Sequence, residues 1–172
     1  MQGVGHVGQY LVGHLTKAGA KVFVTDINQD NLKAVSTEFN ATVVGTDEIY
    51  DLDVDIYSPC ALGATVNSET ISRLKCAVIA GAANNQLADE DLHGQMLVDK
   101  GIIYAPDFLI NAGGVISCYR EVKTLSEKEM QSYIDDIYNK TLQIFARAKE
   151  DKVPTQEAAI RIAKERISRA RK

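Results

Sequence analysis

The sequence predicts an α/β fold in which a doubly wound parallel sheet is followed by a helical extension at the C-terminus. Over the first two thirds of the chain, short β-rich runs alternate with segments of helical periodicity, and this alternation is typical of a parallel sheet covered on both faces. Glycine occurs from Gly3 to Gly114 and not after it, so the last third is expected to be helical without tight turns. We place the boundary between residues 1–124 and residues 125–172.

The elements of the sheet are predicted in order from hydrophobic periodicity and turn residues. Val7, Leu11 and Leu15 have the spacing of one helix face, and Gly19 is expected to end this first helix. The further elements are strands at 21–25, 42–44, 55–58, 77–80 and 102–104, and helices at 28–38, 67–74 and about 88–100.

The last third carries one continuous apolar stripe from Met130 to Phe145. Its spacing predicts a long helix that starts near Ser126, and Pro154 is expected to open a final helix. A stripe of this length packs against a core or another subunit more often than it lines a ligand groove. We therefore expect the tail to make a structural or subunit contact.

Composition excludes several classes of protein. The chain of 172 residues is 45% hydrophobic and 24% charged, with a formal net charge of −4, as is ordinary for one soluble globular domain. Lys and Arg are not clustered as nucleic-acid binding requires, and no apolar run approaches the roughly 18 residues of a membrane span. The three cysteines stand singly, without disulfide or zinc spacing. We therefore expect no metal site, and a reducing cytoplasm as the compartment.

A G-x-G-x-x-G motif opens the chain at the start of the first predicted helix. Because a βα pattern follows it, the motif indicates a Rossmann-type dinucleotide site. Gly3 allows the sharp turn, Gly5 lets the backbone approach a pyrophosphate, and Gly8 lets the helix lie close to the sheet. The helix N-terminus then offers free N–H groups and a partial positive charge to the phosphates. The predicted phosphate loop comprises Gly3, Val4, Gly5, His6, Val7 and Gly8, with His6 at the solvent edge rather than acting as a base.

Asp26 closes the next predicted strand, 18 residues after Gly8, where an acidic residue binds the adenosine ribose diol. A carboxylate about 4 Å from a 2′-phosphate would repel it by roughly 4 kcal/mol at an effective dielectric near 20. Because Ile27, Asn28 and Gln29 supply no cation to offset this repulsion, the site favours NAD over NADP. The alternative is that Asp26 merely caps the helix that begins near Gln29.

The glycine motif stands unusually close to the first residue. Only Met1 and Gln2 precede Gly3, whereas such a loop normally follows a buried strand of about five residues. We therefore expect an N-terminal truncation that removes most of the first strand. In the strand order 3-2-1-4-5-6 this strand is the central one, so its loss would leave two inner sheet edges unpaired.

Three further loops follow predicted strands and span residues 58–64, 81–86 and 105–114. The carboxyl ends of parallel strands meet at one edge of the sheet, where ligands bind. The loops carry small residues and the side-chain amides of Asn84, Asn85 and Asn111, which can donate and accept hydrogen bonds as a nicotinamide carboxamide requires. The alternative, that these amides only satisfy loop backbone groups, stays open.

Together these motifs closely resemble the Glu/Leu/Phe/Val dehydrogenase family, and within it the leucine dehydrogenases are the most similar. The resemblance runs from Gln2 to about Tyr119 and continues more weakly through the helical tail. The motifs that carry it lie at residues 2–8, 25–28, 59–64, 81–87, 104–107 and 110–114.

The resemblance implies reversible oxidative deamination of L-leucine or a related branched-chain amino acid to the 2-oxo acid and ammonia, with hydride passing to NAD. In the family, a lysine pair and an aspartate in an N-terminal domain perform the activation and proton transfers, and Lys17, Lys21 and Lys33 do not match them. The resemblance therefore implies that residues 1–124 form an NAD-binding domain with no catalytic residue, that the catalytic domain lies outside this stretch, and that the enzyme is a homo-oligomer.

Carried over by position, the resemblance assigns the phosphate loop to residues 3–8 and the ribose contact to Asp26 with Ile27. The other implied cofactor contacts are Cys60, Ala61, Ala83, Asn85 and Asn111, and the implied substrate pocket is lined by Asn85, Val115 and Cys118. At the last of these positions the leucine enzymes commonly carry valine. Cysteine is also a small hydrophobe, so an aliphatic pocket is kept, while the preferred chain length of the substrate stays open.

Two alternatives remain at the level of the sequence. The chain could be a non-catalytic Rossmann module that senses NAD(H) for a partner, or part of a phenylalanine or valine dehydrogenase. The amide-bearing loops favour the enzyme, because a sensor need not shape a substrate pocket beside the nicotinamide. Residues 119–124 lack the aromatic-glycine turn common in the family, so the docking of the tail is not predicted.

Overall fold

The computed structural model describes residues 1–171, which confirm the predicted α/β class with eight α-helices and five short strands. Helices α1 to α8 span His6–Lys17, Gln29–Phe39, Ser68–Arg73, Glu90–Lys100, Asp107–Ile110, Gly113–Lys123, Glu127–Asp151 and Thr155–Ala170. Strands β1 to β5 span Phe23–Val24, Thr42–Val43, Ile56–Tyr57, Val78–Ile79 and Ile103–Tyr104, and a 3-10 helix at Glu48–Tyr50 follows β2.

The strands form two parallel groups that are joined through one residue. β1 pairs with β2, and β3, β4 and β5 pair in that order. Gln2 forms parallel bridges to Thr25 on one side and to Pro59 on the other. The order across the sheet is therefore β2, β1, Gln2, β3, β4, β5. This is the doubly wound order expected, with Met1 and Gln2 standing where the central strand runs.

Two hydrophobic clusters lie on opposite faces of this sheet. Phe23 belongs to the first cluster and Val24 to the second, because successive side chains of a strand point to opposite faces. The first cluster packs α3 and α4 against β3, β4 and β5, with Tyr57, Ile71, Ile79, Leu97 and Tyr104 buried. The second packs α1 and α2 against β1, with Val12, Leu32 and Val35 buried.

Local hydrogen bonds explain where several helices begin and end. The side chain of Asn28 accepts the N–H groups of Asp30 and Asn31, which starts α2. α7 starts with a capping box in which Ser126 and Glu129 each accept the other's backbone N–H. Gly19 lies just beyond α1 with φ +87, which is the role predicted for it.

The helical tail docks on the sheet through the start of α8. Thr155 Oγ1 donates to the carbonyl of Tyr104 at 2.6 Å, and Gln156 Nε2 donates to the carbonyl of Glu90 at 2.5 Å. α4 approaches so closely that a Cβ placed on Gly94 would lie 1.8 Å from Gln156 Nε2. These contacts answer the question of tail docking that the sequence left open. Within residues 1–171 no helix combines the length and the apolar character that crossing a membrane requires.

One sequence-based expectation about local structure is wrong. Residues 105–114 were expected to form a loop, but α5 lies inside them and α6 begins at Gly113, so helical structure starts before residue 125. The expected boundary at 124/125 lies in the turn between α6 and α7. In α1 the residues that face the sheet are Gly8 and Val12, and Val7 is 59% exposed.

The apolar stripe of α7 is only partly covered. Ile144 and Ala148 pack against Ala158 and Ala159 of α8 in a third buried cluster. Tyr133, Tyr138 and Leu142 of the stripe remain exposed. The tail therefore makes its own small core and leaves an apolar surface outside it.

Candidate functional site

The N-terminus of α1 presents backbone N–H groups that no side chain caps. Gly5 is the N-cap residue and makes no side-chain capping bond, and the first turn contains no acidic residue. A Cβ built on Gly5 would meet no atom of the described residues within 4 Å. Free N–H groups at the positive end of a helix, with open space before them, fit a pyrophosphate.

The other two glycines of the motif are required by close packing. Gly3 has φ +94, and a Cβ there would lie 2.6 Å from the backbone nitrogen of Ala61. A Cβ on Gly8 would lie 2.4 Å from the carbonyl oxygen of Gly3. Both distances are shorter than real Cβ contacts, so these glycines let the loop lie between α1 and the segment that follows β3.

Asp26 ties the end of β1 to the phosphate loop. Its Oδ2 accepts the backbone N–H of Val4 at 2.7 Å, and its Oδ1 accepts the N–H of Asn28 at 2.8 Å. Each carboxylate oxygen has lone-pair capacity for a further donor such as a ribose hydroxyl. Because Asn28 supplies the cap of α2, the alternative that Asp26 merely caps this helix is wrong. Ile27 lies beside this carboxylate and is almost fully exposed.

The loops after β3 and β4 lie directly against the phosphate loop. The N–H of Cys60 donates to the carbonyl of Gln2 at 2.7 Å. The N–H of Ala82 donates to Cys60 Sγ at 3.5 Å, and the N–H of Ala83 donates to the carbonyl of Pro59 at 3.1 Å. The structure therefore brings Cys60 and Ala83 together with the glycine motif, and Ala61 contacts Gly3 as described above.

Two residues that sequence reasoning did not single out hold the site together. Gln86 is 1% exposed, and its Nε2 donates to the carbonyls of Gly81 at 2.7 Å and Ala83 at 2.9 Å. The N–H of Gln86 donates to Asp107 Oδ2 at 3.1 Å, while Asp107 Oδ1 accepts the N–H of Phe108 at 2.7 Å. Asp107 thus links the loop after β4 to the start of α5.

The asparagine side chains lie at the same edge of the sheet. The amide of Asn111 donates to Asn84 Oδ1, so these two side chains pair across the loops after β4 and β5. Asn85 has φ +52, and its carbonyl accepts the N–H of Ala64 at 2.8 Å. The exposed side chain of Asn85 is left facing outward. Asn84 and Asn111 therefore link the two loops at this edge, and the amide of Asn85 is accessible to a ligand.

Val115 and Cys118 lie on α6, three residues apart and hence on one face of the helix. Val115 is 73% exposed, Cys118 is exposed, and α6 has no buried residue. α6 begins at Gly113, two residues after Asn111, so both side chains follow closely on the loop that carries this amide.

Gln2 is held from both sides beneath the phosphate loop. Its Nε2 donates to the hydroxyl of Tyr50 at 2.7 Å, and its Oε1 accepts the hydroxyl of Tyr57. Burial raises the pKa of Tyr57, so its phenol stays protonated and continues to donate. This pair of bonds fixes the residue from which the loop departs. Within residues 1–171 no group of three His, Cys, Asp or Glu side chains is arranged to hold a metal ion.

The chain is similar in sequence to known amino-acid dehydrogenases. Residues 23–172 match the Glutamate/Leucine/Phenylalanine/Valine dehydrogenase family. The chain is 51% identical over 172 residues to leucine dehydrogenase of Thermoactinomyces intermedius, covering 100% of this chain and 47% of that enzyme. It is 44% identical over 172 residues to phenylalanine dehydrogenase of Bacillus thermotolerans, covering 97% of this chain and 45% of that enzyme.

The fold of the chain is also similar to that of a solved structure. The crystal structure of L-tryptophan dehydrogenase from Nostoc punctiforme superposes with a TM-score of 0.95 at 48% identity, covering 99% of this chain and 52% of that one. The chain thus spans about half the length of the relatives it matches. These matches cover nearly every residue of this chain, and the chain belongs to the Glutamate/Leucine/Phenylalanine/Valine dehydrogenase family.

Proposed function

We propose that this chain is the NAD-binding domain of an amino-acid dehydrogenase of the leucine dehydrogenase type. The whole enzyme would catalyse reversible oxidative deamination of L-leucine or a related branched-chain amino acid to the 2-oxo acid and ammonia. The observation that carries the proposal is the open, uncapped N-terminus of α1 at Gly5, with the carboxylate of Asp26 beside it. Phosphate and ribose sites at this spacing are what a dinucleotide requires.

Different residues of the chain would bind different parts of NAD. The N–H groups at residues 5–8 would hold the pyrophosphate, with Val4 bonded to Asp26 behind them, and Asp26 with Ile27 would hold the adenosine ribose. Cys60, Ala61 and Ala83 would lie along the nicotinamide ribose, where small side chains leave room for it. Asn85 and Asn111 would bond the carboxamide. When bound, NAD supplies the hydride acceptor, while this chain orients the cofactor by contacts on one side.

The nature of the substrate rests on Asn85, Val115 and Cys118. The exposed face of α6 is apolar at Val115 and Cys118, which suits an aliphatic side chain. Relatives of this chain are named leucine, tryptophan and phenylalanine dehydrogenases, so the family accommodates different side chains. We assign a branched-chain substrate, with phenylalanine or valine as the alternatives within the same chemistry.

The rest of the enzyme would lie in a separate N-terminal domain that carries the catalytic lysines and aspartate. On this proposal residues 1–124 form the NAD-binding domain and residues 125–172 its helical extension. The exposed Tyr133, Tyr138 and Leu142 of α7 support a further contact, with that domain or between subunits of a homo-oligomer. Three free cysteines support a reducing, cytoplasmic location.

The test is an activity assay on the full-length protein that carries this chain. NADH formation would be followed with L-leucine, L-valine, L-isoleucine, L-phenylalanine and L-tryptophan, with NAD and NADP as cofactors. We expect the highest kcat/KM with NAD and a branched-chain substrate. Tight NADH binding without turnover of any amino acid would instead support the NAD(H)-sensing module, and turnover of phenylalanine alone would reassign the substrate.

A further inference from the structure

A buried glutamine lies inside the loop that follows β4. Gln86 is 1% exposed, and its Nε2 donates to the carbonyls of Gly81 at 2.7 Å and Ala83 at 2.9 Å. Because both neighbours are carbonyl oxygens, only the NH2 end of the amide can face them. The two bonds close residues 81–86 into a compact turn around one side chain.

The backbone beside this side chain is bonded to two neighbouring segments. The N–H of Gln86 donates to Asp107 Oδ2 at 3.1 Å, and its carbonyl accepts the N–H of Val66 at 2.9 Å. The carbonyl of Asn85 accepts the N–H of Ala64 at 2.8 Å. These bonds tie the loop after β4 to the segment that follows β3 and to the start of α5. A change at Gln86 therefore acts on three segments at once.

The same loop has little room to adjust. A Cβ on Gly81 would lie 2.0 Å from the carbonyl oxygen of Pro59. Asn85 has φ +52, and Ala64, which donates to it, has φ +51. These angles are uncommon for residues other than glycine and persist where the surroundings impose them. The bonds of Gln86 supply part of that constraint, and the side chain of Asn85 is left exposed.

We propose that Gln86 is a positioning residue for the nicotinamide half of the cofactor, acting through Ala83 and Asn85. The role rests on the proposed function, in which Ala83 lies along the nicotinamide ribose and Asn85 bonds the carboxamide. The pyrophosphate and the adenosine ribose are assigned to residues 5–8 and Asp26, whereas the bonds of Gln86 described above run to other segments. Loss of the buried amide should therefore weaken the contacts of one half of NAD.

A second buried glutamine provides a matched control. Gln156 is 5% exposed, and its Nε2 donates to the carbonyl of Glu90 at 2.5 Å, where α8 contacts α4. In both glutamines Oε1 is buried and has no hydrogen-bond partner among residues 1–171. Gln86→Met and Gln156→Met therefore remove the same kind of group at similar size, one beside the site and one beneath the helical tail.

Equilibrium binding of NAD and of ADP to the full-length protein tests the role of Gln86. ADP keeps the adenosine ribose and the diphosphate but lacks the nicotinamide and its ribose. We expect Gln86→Met to raise the dissociation constant of NAD about three- to ten-fold, the value of one hydrogen bond to the carboxamide, and to leave that of ADP unchanged. Gln156→Met should lower the urea midpoint of unfolding by a similar amount without changing the ratio of the two dissociation constants.

Asp107→Asn is a milder second variant, because it weakens the bond to the N–H of Gln86 and leaves the buried amide in place. Should Gln86→Met fail to give a cooperative unfolding transition, the ratio in Asp107→Asn decides. An unchanged ratio in the folded variants, or an equal change of the ratio in Gln156→Met, would overturn the role of Gln86 alone. A wild-type protein that does not bind NAD would instead overturn the proposed function, together with the positioning role that rests on it.

Discussion

Gly5 and Gly8 lie three residues apart, yet a side chain at each would meet different surroundings. A Cβ at Gly5 contacts nothing within 4 Å, whereas a Cβ at Gly8 would lie 2.4 Å from the carbonyl oxygen of Gly3. We expect Gly5→Ala to change the free energy of unfolding by less than about 1 kcal/mol while weakening NAD binding at least about ten-fold. Gly8→Ala should cost about 1–3 kcal/mol of stability.

Urea unfolding and equilibrium NAD binding to the full-length protein measure the two effects. The pair serves as its own control, since the same substitution is made in the same loop. Equal losses of stability in Gly5→Ala and Gly8→Ala would contradict the assignment of Gly5 to the ligand and Gly8 to packing.

Asp26 holds the phosphate loop and would also bind the ribose. Its carboxylate accepts two backbone N–H groups, and Asn can replace only part of that capacity. We expect Asp26→Asn to weaken NAD binding about 10–100-fold, the value of one charge-assisted bond. Binding of NADP should weaken less, because the repulsion of the 2′-phosphate is removed.

Titration calorimetry with NAD and NADP checks the effect of Asp26→Asn. Asp30→Asn is the matched control, since Asp30 is an exposed carboxylate in the first turn of α2. An unchanged ratio of the NAD and NADP dissociation constants in Asp26→Asn would remove Asp26 from the ribose site.

At the scale of elements, the close approach of α4 to α8 depends on Gly94. A Cβ there would overlap Gln156, whose side chain is buried and bonded to Glu90. We expect Gly94→Ala to cost about 1–3 kcal/mol of unfolding free energy. Gly114→Ala, in the exposed helix α6 with nothing within 4 Å, should instead stabilise by about 0.5–1 kcal/mol.

A double-mutant cycle measured by chemical denaturation isolates the overlap. Adding Gln156→Ala to Gly94→Ala removes the overlapping atoms, so the double variant should lose less stability than the sum of the two single losses. Additivity to within about 0.5 kcal/mol would mean that the two helices do not contact each other through this pair.

The predicted and observed elements differ where local signals are weak. The strands and most helices were predicted because periodicity and capping residues agree, as at Asn28 and Ser126. α6 was not predicted at its true start, because it opens on Gly113 and Gly114 and buries no residue. Propensity and burial therefore gave no sign of a helix. α6 contacts α7, and a contact between two helices is not visible in a local sequence pattern.

In the candidate site too, some residues could be predicted from the sequence and others could not. The glycine motif and Asp26 could be found because their chemistry fixes both residue type and spacing. The roles of Gln86 and Asp107 could not, because they arise from contacts across 21 residues between two loops. A buried glutamine looks like any polar loop residue in sequence. For Asp107, the Pro106-Asp107 pair before an apolar run was the one usable sign of a helix start.

For the whole molecule, the amine of Met1 makes stability depend on pH. Burial, partly offset by Cys60, lowers the pKa of the Met1 amine from 8.0 to about 6. Between these values the unfolded chain binds a proton that the folded chain releases, so stability rises with pH across this window. The gain is about 2–3 kcal/mol from pH 6 to pH 8, and it is absent below pH 6, where both states are protonated.

Acetylation of the Met1 amine provides the control for this effect. The acetylated chain keeps every other titratable group, so the difference between the two chains isolates the amine. Urea unfolding at several pH values should show the rise only in the chain with a free amine. Parallel pH profiles for the two forms would mean that the amine is solvated in the folded chain.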